Sequence, residues 1–301
     1  MARPSSSSST SSRQSSAQQA SGTQASASEG GRLRRSVSTT KKEDDNEGEH
    51  DFAEIQSPFT SKPYPFDASL APEGKRSLSG ISSQSFWLGF ALATSLILGS
   101  QAAWQGYPIW RLFAFTTSLS LFHFLEFWTT ATYNAPQARA SSFLLFSNGT
   151  AYNAAHSLAL IEIVVSNFFF PTYQARYVNS TTISIGLFLV IVGQASRTLA
   201  MATAGTNFNH TPQKTKQNGH ELVTSGIYAY SRHPSYFAFF WWAIGTQLLV
   251  GNKICFVAFF AVLWNFFNDR IKAEERSLVE FFGKDYENYK KRTRTGIPLI
   301  R

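Results

Sequence analysis

The chain has 301 residues, a net charge of +8, 43% hydrophobic residues including 27 Phe, one cysteine and a mean hydropathy of -0.15. A lone cysteine, Cys255, excludes a disulfide framework and a thiolate metal cluster. The ten basic and ten acidic residues within 1–80 cancel, so the positive excess belongs to 81–301, where cations flank apolar runs; that pattern argues against nucleic acid and for anionic headgroups and topology signals.

Residues 1–80 are rich in Ser, Gln, Ala and Thr with short charge runs, a composition that buries too little apolar area to offset chain entropy, and they are predicted to form a disordered cytosolic tail. No short apolar run behind basic residues marks a cleavable signal, so the first membrane segment is expected to direct insertion. Residues 81–301 read as one all-helical membrane domain. Crossing a bilayer takes about 20 apolar residues in a helix. Stretches 84–104, 108–132, 150–170 and 182–204 meet this, and the shorter runs 235–250 and 253–268, joined by "GNK", read as a helical hairpin. Bilayer thinning or snorkelling would let the hairpin arms span, which predicts a bundle of six transmembrane helices; the alternative is a hairpin that dips partway. With the N-terminus inside, the loops near 133–149 and 205–234 and the basic end "YKKRTRTG" face the cytosol, and an even number of spans brings both termini there.

The clustered polar residues lie between 205 and 277. In the loop, His210, His220 and His233 are not accompanied by acids or cysteines at ligand spacing, which argues against a metal. Arg232 and His233 precede Pro234, a residue suited to the first turn of a helix, so the polar pair is expected at a helix N-terminus, where backbone donors attract anions. Arg270 and Glu274 are four apart and share a helix face, either as a surface ion pair or as a cation and an anion receiving a ligand of both signs. His123, Glu126, His156, Glu162 and Arg197 fall inside the apolar spans, where each costs roughly 2.5 to 3.5 kcal/mol by insertion scales, so they face the bundle interior as functional groups or as helix ties.

From about residue 205 the chain resembles the protein-S-isoprenylcysteine O-methyltransferase family. The motifs are "NFNH", "HELVTSGIY", "SRHPSYF", "WNFFNDRIKAEERSL", "FFGKDYENYKKR" and "TGIPLI", and "HFLEF" and "AYNAAHSLALIE" extend the resemblance upstream to cover roughly 85–301. The resemblance implies a multi-pass endoplasmic reticulum enzyme that methylates the C-terminal carboxylate of prenylated cysteine in CAAX-processed proteins, small GTPases among them. It also implies that S-adenosylmethionine binds in the region 205–301 without a Rossmann domain. Carried over residue by residue, Gln213, His220, Glu221, Leu222, Val223, Tyr228, His233, Pro234, Ser235, Tyr236 and Glu274 would line the cofactor site, and Arg270 would meet the substrate carboxylate.

The chemistry agrees with these residue types. An α-carboxyl with a pKa near 3.5 is ionised at neutral pH, so no general base is needed. Attack by an anion on a sulfonium cancels charge, which a dry pocket at the membrane edge favours. Membrane phospholipid N-methylation is the alternative, and there the acceptor amine must first lose a proton. A sterol reductase or a transporter fits less well, the latter because no internal repeat is visible.

Overall fold

A computed structural model describes residues 67–300. Residues 1–66 and 301 lie outside the described residues, and with them most of the stretch read as a tail. The remainder of that stretch is ordered: Asp67 caps a short 3-10 turn through its bond from Ser69 N, and the Lys75 carbonyl accepts from Ala140 N. Buried Ser77 then caps the first helix, which begins at Leu78 rather than near 84.

The helices in chain order are α1 (Leu78–Trp104), α2 (Trp110–Tyr133), α3 (Thr150–Phe169), the short α4 (Pro171–Ala175), α5 (Ser180–Ala204), α6 (Pro234–Val250), α7 (Lys253–Phe282) and α8 (Lys284–Arg292). Among the described residues the extended pairing is a single parallel bridge between Ser231 and Arg294. Three helices, α1, α5 (with its 3-10 extension to Asn207) and α7, are long and apolar enough to cross a membrane by length and composition. The second hairpin arm continues past its apolar run, which ends near 268, through Arg270 and Glu274 as their shared face implies, and reaches Phe282 as a 30-residue helix, roughly 45 Å at 1.5 Å per residue. Only its first half is apolar; the second half carries charges yet stays packed, with Ile271 and Glu275 buried.

The α5–α6 contact is the closest in the bundle. Gly186 and Gly193 on α5 and Gly245 on α6 let the backbones meet: a Cβ on Gly193 would stand 2.7 Å from Trp242 Cβ, and one on Gly245 would stand 2.7 Å from Leu189 Cβ. Where lipid is as apolar as the core, close packing of small residues is what holds helices together. Phe122 of α2 packs against Trp242, tilted by 33° with centroids 4.4 Å apart, joining α2 to this pair, and Phe239 and Phe267 continue the aromatic core toward α7. Phe86, Trp87, Ile97, Phe188, Ile191, Ile254 and Val257 point outward and give the bundle an apolar circumference.

The hairpin between α6 and α7 is fastened at the end away from the polar loop. Gly251 ends α6 in the left-handed region, at φ 73°, which suits a glycine. The Glu162 carboxylate, from α3, accepts from the backbone of Lys253, Ile254 and Cys255 at 2.7 to 2.9 Å, satisfying the orphan donors of α7. Asn252 Nδ2 donates to the Ala159 carbonyl and to Gln247. Glu162 is therefore a helix tie, as is His123, whose ring nitrogens contact the Phe143 carbonyl and the Tyr152 hydroxyl.

The C-terminal segment returns across α6 and α7. Trp264 Nε1 donates to the Pro298 carbonyl, Ser231 Oγ to Thr295, and Ile297 and Ile300 are buried in the core. These contacts brace the mouth of the hairpin where the polar residues gather.

Candidate active site

Pro234 occupies the first turn of α6 and His233 is its N-cap position, as the sequence predicts. The carboxylate drawn to this corner is the chain's own Glu275. Its Oε1 accepts from Arg232 Nε at 2.5 Å and stands 3.2 Å from His233 Nε2, while its Oε2 pairs with Lys290 Nζ at 2.5 Å. Arg232 also donates to the Thr293 carbonyl. One glutamate thus locks the α6 entrance, α7, α8 and the C-terminal segment together.

Beside this lock lies a cavity of about 120 Å³. His220, Glu221, Leu222, Val223, Tyr228, His233, Pro234, Ser235, Tyr236 and Glu274 all lie on its wall. Gln213 is not on the wall; its side-chain oxygen is buried without a hydrogen-bond partner. Arg270 stands outside the cavity at one end of a separate groove on α7, with Ala261, Val262, Asn265, Phe266 and Asp269. Ala204, Asn207, Phe208, Asn209, Arg232, Leu278, Phe282, Tyr286 and Tyr289 complete the cavity; the sequence placed Arg232 at the α6 entrance and gave the others no site role, although most stand within the quoted motifs. The two tyrosines are three apart on α8 and both buried, a same-face pattern that a helical reading of "DYENY" could have found.

Arg270 and Glu274 do share a face of α7, yet they meet through a third group. The Tyr236 hydroxyl donates to Glu274 Oε2 at 2.5 Å and accepts from Arg270 Nε at 3.0 Å. The guanidinium also donates to the His210 carbonyl and lies 5.5 Å from the Phe266 ring centroid. The cavity and the groove are therefore joined by a cation, a phenol and an anion in line.

The loop that closes the cavity is held by a few contacts. Asn134 Nδ2 donates to Phe208 O at 2.9 Å, Glu221 N to Asn207 Oδ1 at 2.9 Å, and Lys216 Nζ to Phe281 O at 3.1 Å. Burial and nearby Lys216 lower the pKa of His220, so its imidazole is neutral at physiological pH; its Nδ1 is buried without a partner. Burial pushes the Tyr289 phenol up to about 12, so it keeps the proton that it donates to the Tyr228 carbonyl at 2.6 Å. Among the described residues no group of three His, Cys, Asp or Glu is placed to hold a metal ion. The cavity therefore offers hydrogen-bonding groups, two carboxylates (Glu221 and Glu274) and the Arg232 guanidinium, with Arg270 at its border.

The family model for the isoprenylcysteine carboxyl methyltransferases matches residues 185–280, which hold most of this wall. The protein-S-isoprenylcysteine O-methyltransferase of Saccharomyces cerevisiae is 45% identical over 226 residues, covering 74% of this chain and 92% of the relative. The chain belongs to the isoprenylcysteine carboxyl methyltransferase family. The Homo sapiens member is 42% identical over 216 residues, covering 71% of this chain and 73% of its own. A solved eukaryotic intramembrane Ras methyltransferase of the family superposes with a TM-score of 0.68 at 35% identity, covering 73% of this chain and 77% of that one. Membership accounts for a helical bundle with its polar cluster at one end.

Proposed function

We propose that the chain transfers the methyl group of S-adenosylmethionine to the C-terminal carboxylate of a prenylated cysteine, forming a methyl ester. The observation that carries this reading is the Arg270–Tyr236–Glu274 line, which stands where a polar cavity meets an apolar groove. S-adenosylmethionine supplies the methyl group as a sulfonium. The cavity's unpartnered His220 Nδ1, the Glu274 carboxylate and the aromatic rings of Phe208 and Tyr228 suit a cationic nucleoside bearing an ammonium.

On the acceptor side, Arg270 offers a planar fork to a carboxylate, and Ala261, Val262 and Phe266 along the same helix offer an apolar path to a prenyl chain. The substrate is itself divided between lipid and water, which is why charged side chains stand at the mouth of a membrane segment. Tyr236 holds Arg270 and Glu274 a fixed distance apart, so that the residues facing donor and acceptor are oriented before either arrives. Prenylated small GTPases and other CAAX proteins are the partners of this reading.

In the same reading, α1, α2, α3, α5, α6 and α7 all cross the endoplasmic reticulum membrane and both termini are cytosolic. The 17 residues of α6 span roughly 25 Å, which modest thinning accommodates. The cationic loops then share the side of the cavity.

The test is methyl transfer from labelled S-adenosylmethionine to N-acetyl-S-farnesylcysteine by membranes that contain the chain, with Arg270→Ala beside it. Base-labile ester from the wild type and its loss in the variant are expected. Label appearing only in phosphatidylethanolamine would overturn the assignment.

A further inference from the structure

Next to the cavity lies a buried ion pair that is not part of its wall. Arg197 of α5 places its fork on the Glu126 carboxylate of α2, with Nε–Oε1 at 2.7 Å and Nη2–Oε2 at 2.9 Å. The arginine is 8% exposed and the glutamate 1%. The remaining nitrogen, Nη1, reaches a third helix, donating to the Ser235 hydroxyl and, at 3.3 Å, to the Ser235 carbonyl. The same guanidinium lies 5.6 Å from the centroid of the Phe208 ring. Ser235 and Phe208 are both cavity wall. On its other side, Glu126 Oε2 stands 3.6 Å from His210 Nδ1, and the His210 carbonyl receives the Arg270 guanidinium.

A buried ion pair is weak evidence for stability, because desolvating two charges offsets most of their attraction and well-packed apolar residues often do as well. What an apolar pair cannot do is fix directions. This one has a two-toothed grip on α2, a third bond to α6 and a contact with the loop that holds Arg270. We propose that Glu126 and Arg197 are positioning residues for methyl transfer. Arg197 sets Ser235 and Phe208 on the donor side; Glu126 steadies His210, and through its carbonyl Arg270, on the acceptor side. The pair therefore governs the separation between the two reactants, although it touches neither. This inference rests on reading the cavity as the methyl-donor site.

Glu162 is an internal control. It is another carboxylate set among the helices, but it caps α7 at the opposite end and contributes nothing to the cavity.

The experiment uses the full chain in phosphatidylcholine nanodiscs, with rates normalised to the monodisperse fraction, S-adenosylmethionine as donor and N-acetyl-S-farnesylcysteine as acceptor. Arg197→Lys and Glu126→Asp keep both charges but lose the fork or its reach. Each is expected to lower kcat on the order of 10- to 100-fold and to raise the Kd for S-adenosylmethionine and the KM for the acceptor, since misplacement near 1 Å costs rates of that size. Glu162→Gln is expected to lower Tm while kcat and both affinities per folded molecule stay at wild type. Wild-type kcat, Kd and KM in folded Arg197→Lys and Glu126→Asp would overturn the inference. If Arg197→Lys yields no folded protein, Glu126→Asp decides alone by the same criteria. If the wild type makes ester and only the yield of folded variant falls, the pair is structural and the inference fails. If the wild type makes no ester, the functional reading falls and takes the inference with it.

Discussion

The Tyr236 hydroxyl is shared between a carboxylate and a guanidinium, and both of its bonds are charge-assisted. Tyr236→Phe keeps the ring stacked between His233 and Phe267 while deleting both bonds. Hydrogen bonds to charged groups are worth about 1.5 to 3 kcal/mol, so donor and acceptor binding should both weaken, each by about tenfold or more. Separate titrations of S-adenosylmethionine and the prenylcysteine acceptor check this; a change confined to one would mean that Tyr236 serves only that side. Glu274→Ala, by contrast, should weaken chiefly the donor, and Arg270→Ala should chiefly impair the acceptor. Two of the three loop histidines, His210 and His220, have pKa values lowered, first by burial. A group depressed below about 6.5 stays neutral above it, and the acceptor carboxylate is ionised throughout, so kcat/KM should vary little between pH 6.5 and 8.5. An amine acceptor would instead give a rate that rises with pH. A pH–rate profile thus separates carboxyl from amine methylation without identifying the product.

At the scale of elements, the bundle depends on the glycine seam between α5 and α6. Leu249 backbone atoms lie against Gly186, and Ala238 and Trp242 against Gly193, so neither site has room for a side chain. Gly193→Val should destabilise by about 1 to 3 kcal/mol or more, as overpacking does, and should lower Tm in detergent. A variant with wild-type Tm would show that the helices separate easily there. The extent of α7 was only partly legible in the sequence. That the helix leads directly out of the apolar run, with Arg270 and Glu274 on one face, was legible; how far it continues, to Phe282, was not. Since the backbone makes its bonds internally in either environment, the helix has no reason to stop where its surroundings change from apolar to polar. At the other end of the bundle, the Asn179 side chain accepts from Thr182 N as the cap of α5.

For the whole molecule, the described residues begin at Asp67, within the stretch read as a tail, and that part of the stretch is folded onto the bundle. Deletion of 1–66 should leave methyl transfer per folded molecule unchanged, whereas deletion through Ser77 removes the Lys75–Ala140 bond and the α1 cap and should lower Tm. Activity assays and thermal melts of the two truncations in parallel check both halves of the expectation. The sequence by itself determined the helical class, the polar end of the bundle and most residues of the cavity wall. The first two follow from local properties, apolar run length and the proline that starts α6, while the wall residues came from the resemblance of short motifs to a known family. The tertiary structure alone decided that Arg270 and Glu274 meet through Tyr236, that Glu275 and not an outside anion occupies the α6 entrance, and that Glu126 grips Arg197 across 71 residues of sequence. Each of these is a contact between side chains on different helices. Which faces meet is set by the glycine seam and aromatic packing, and no spacing within one segment encodes it.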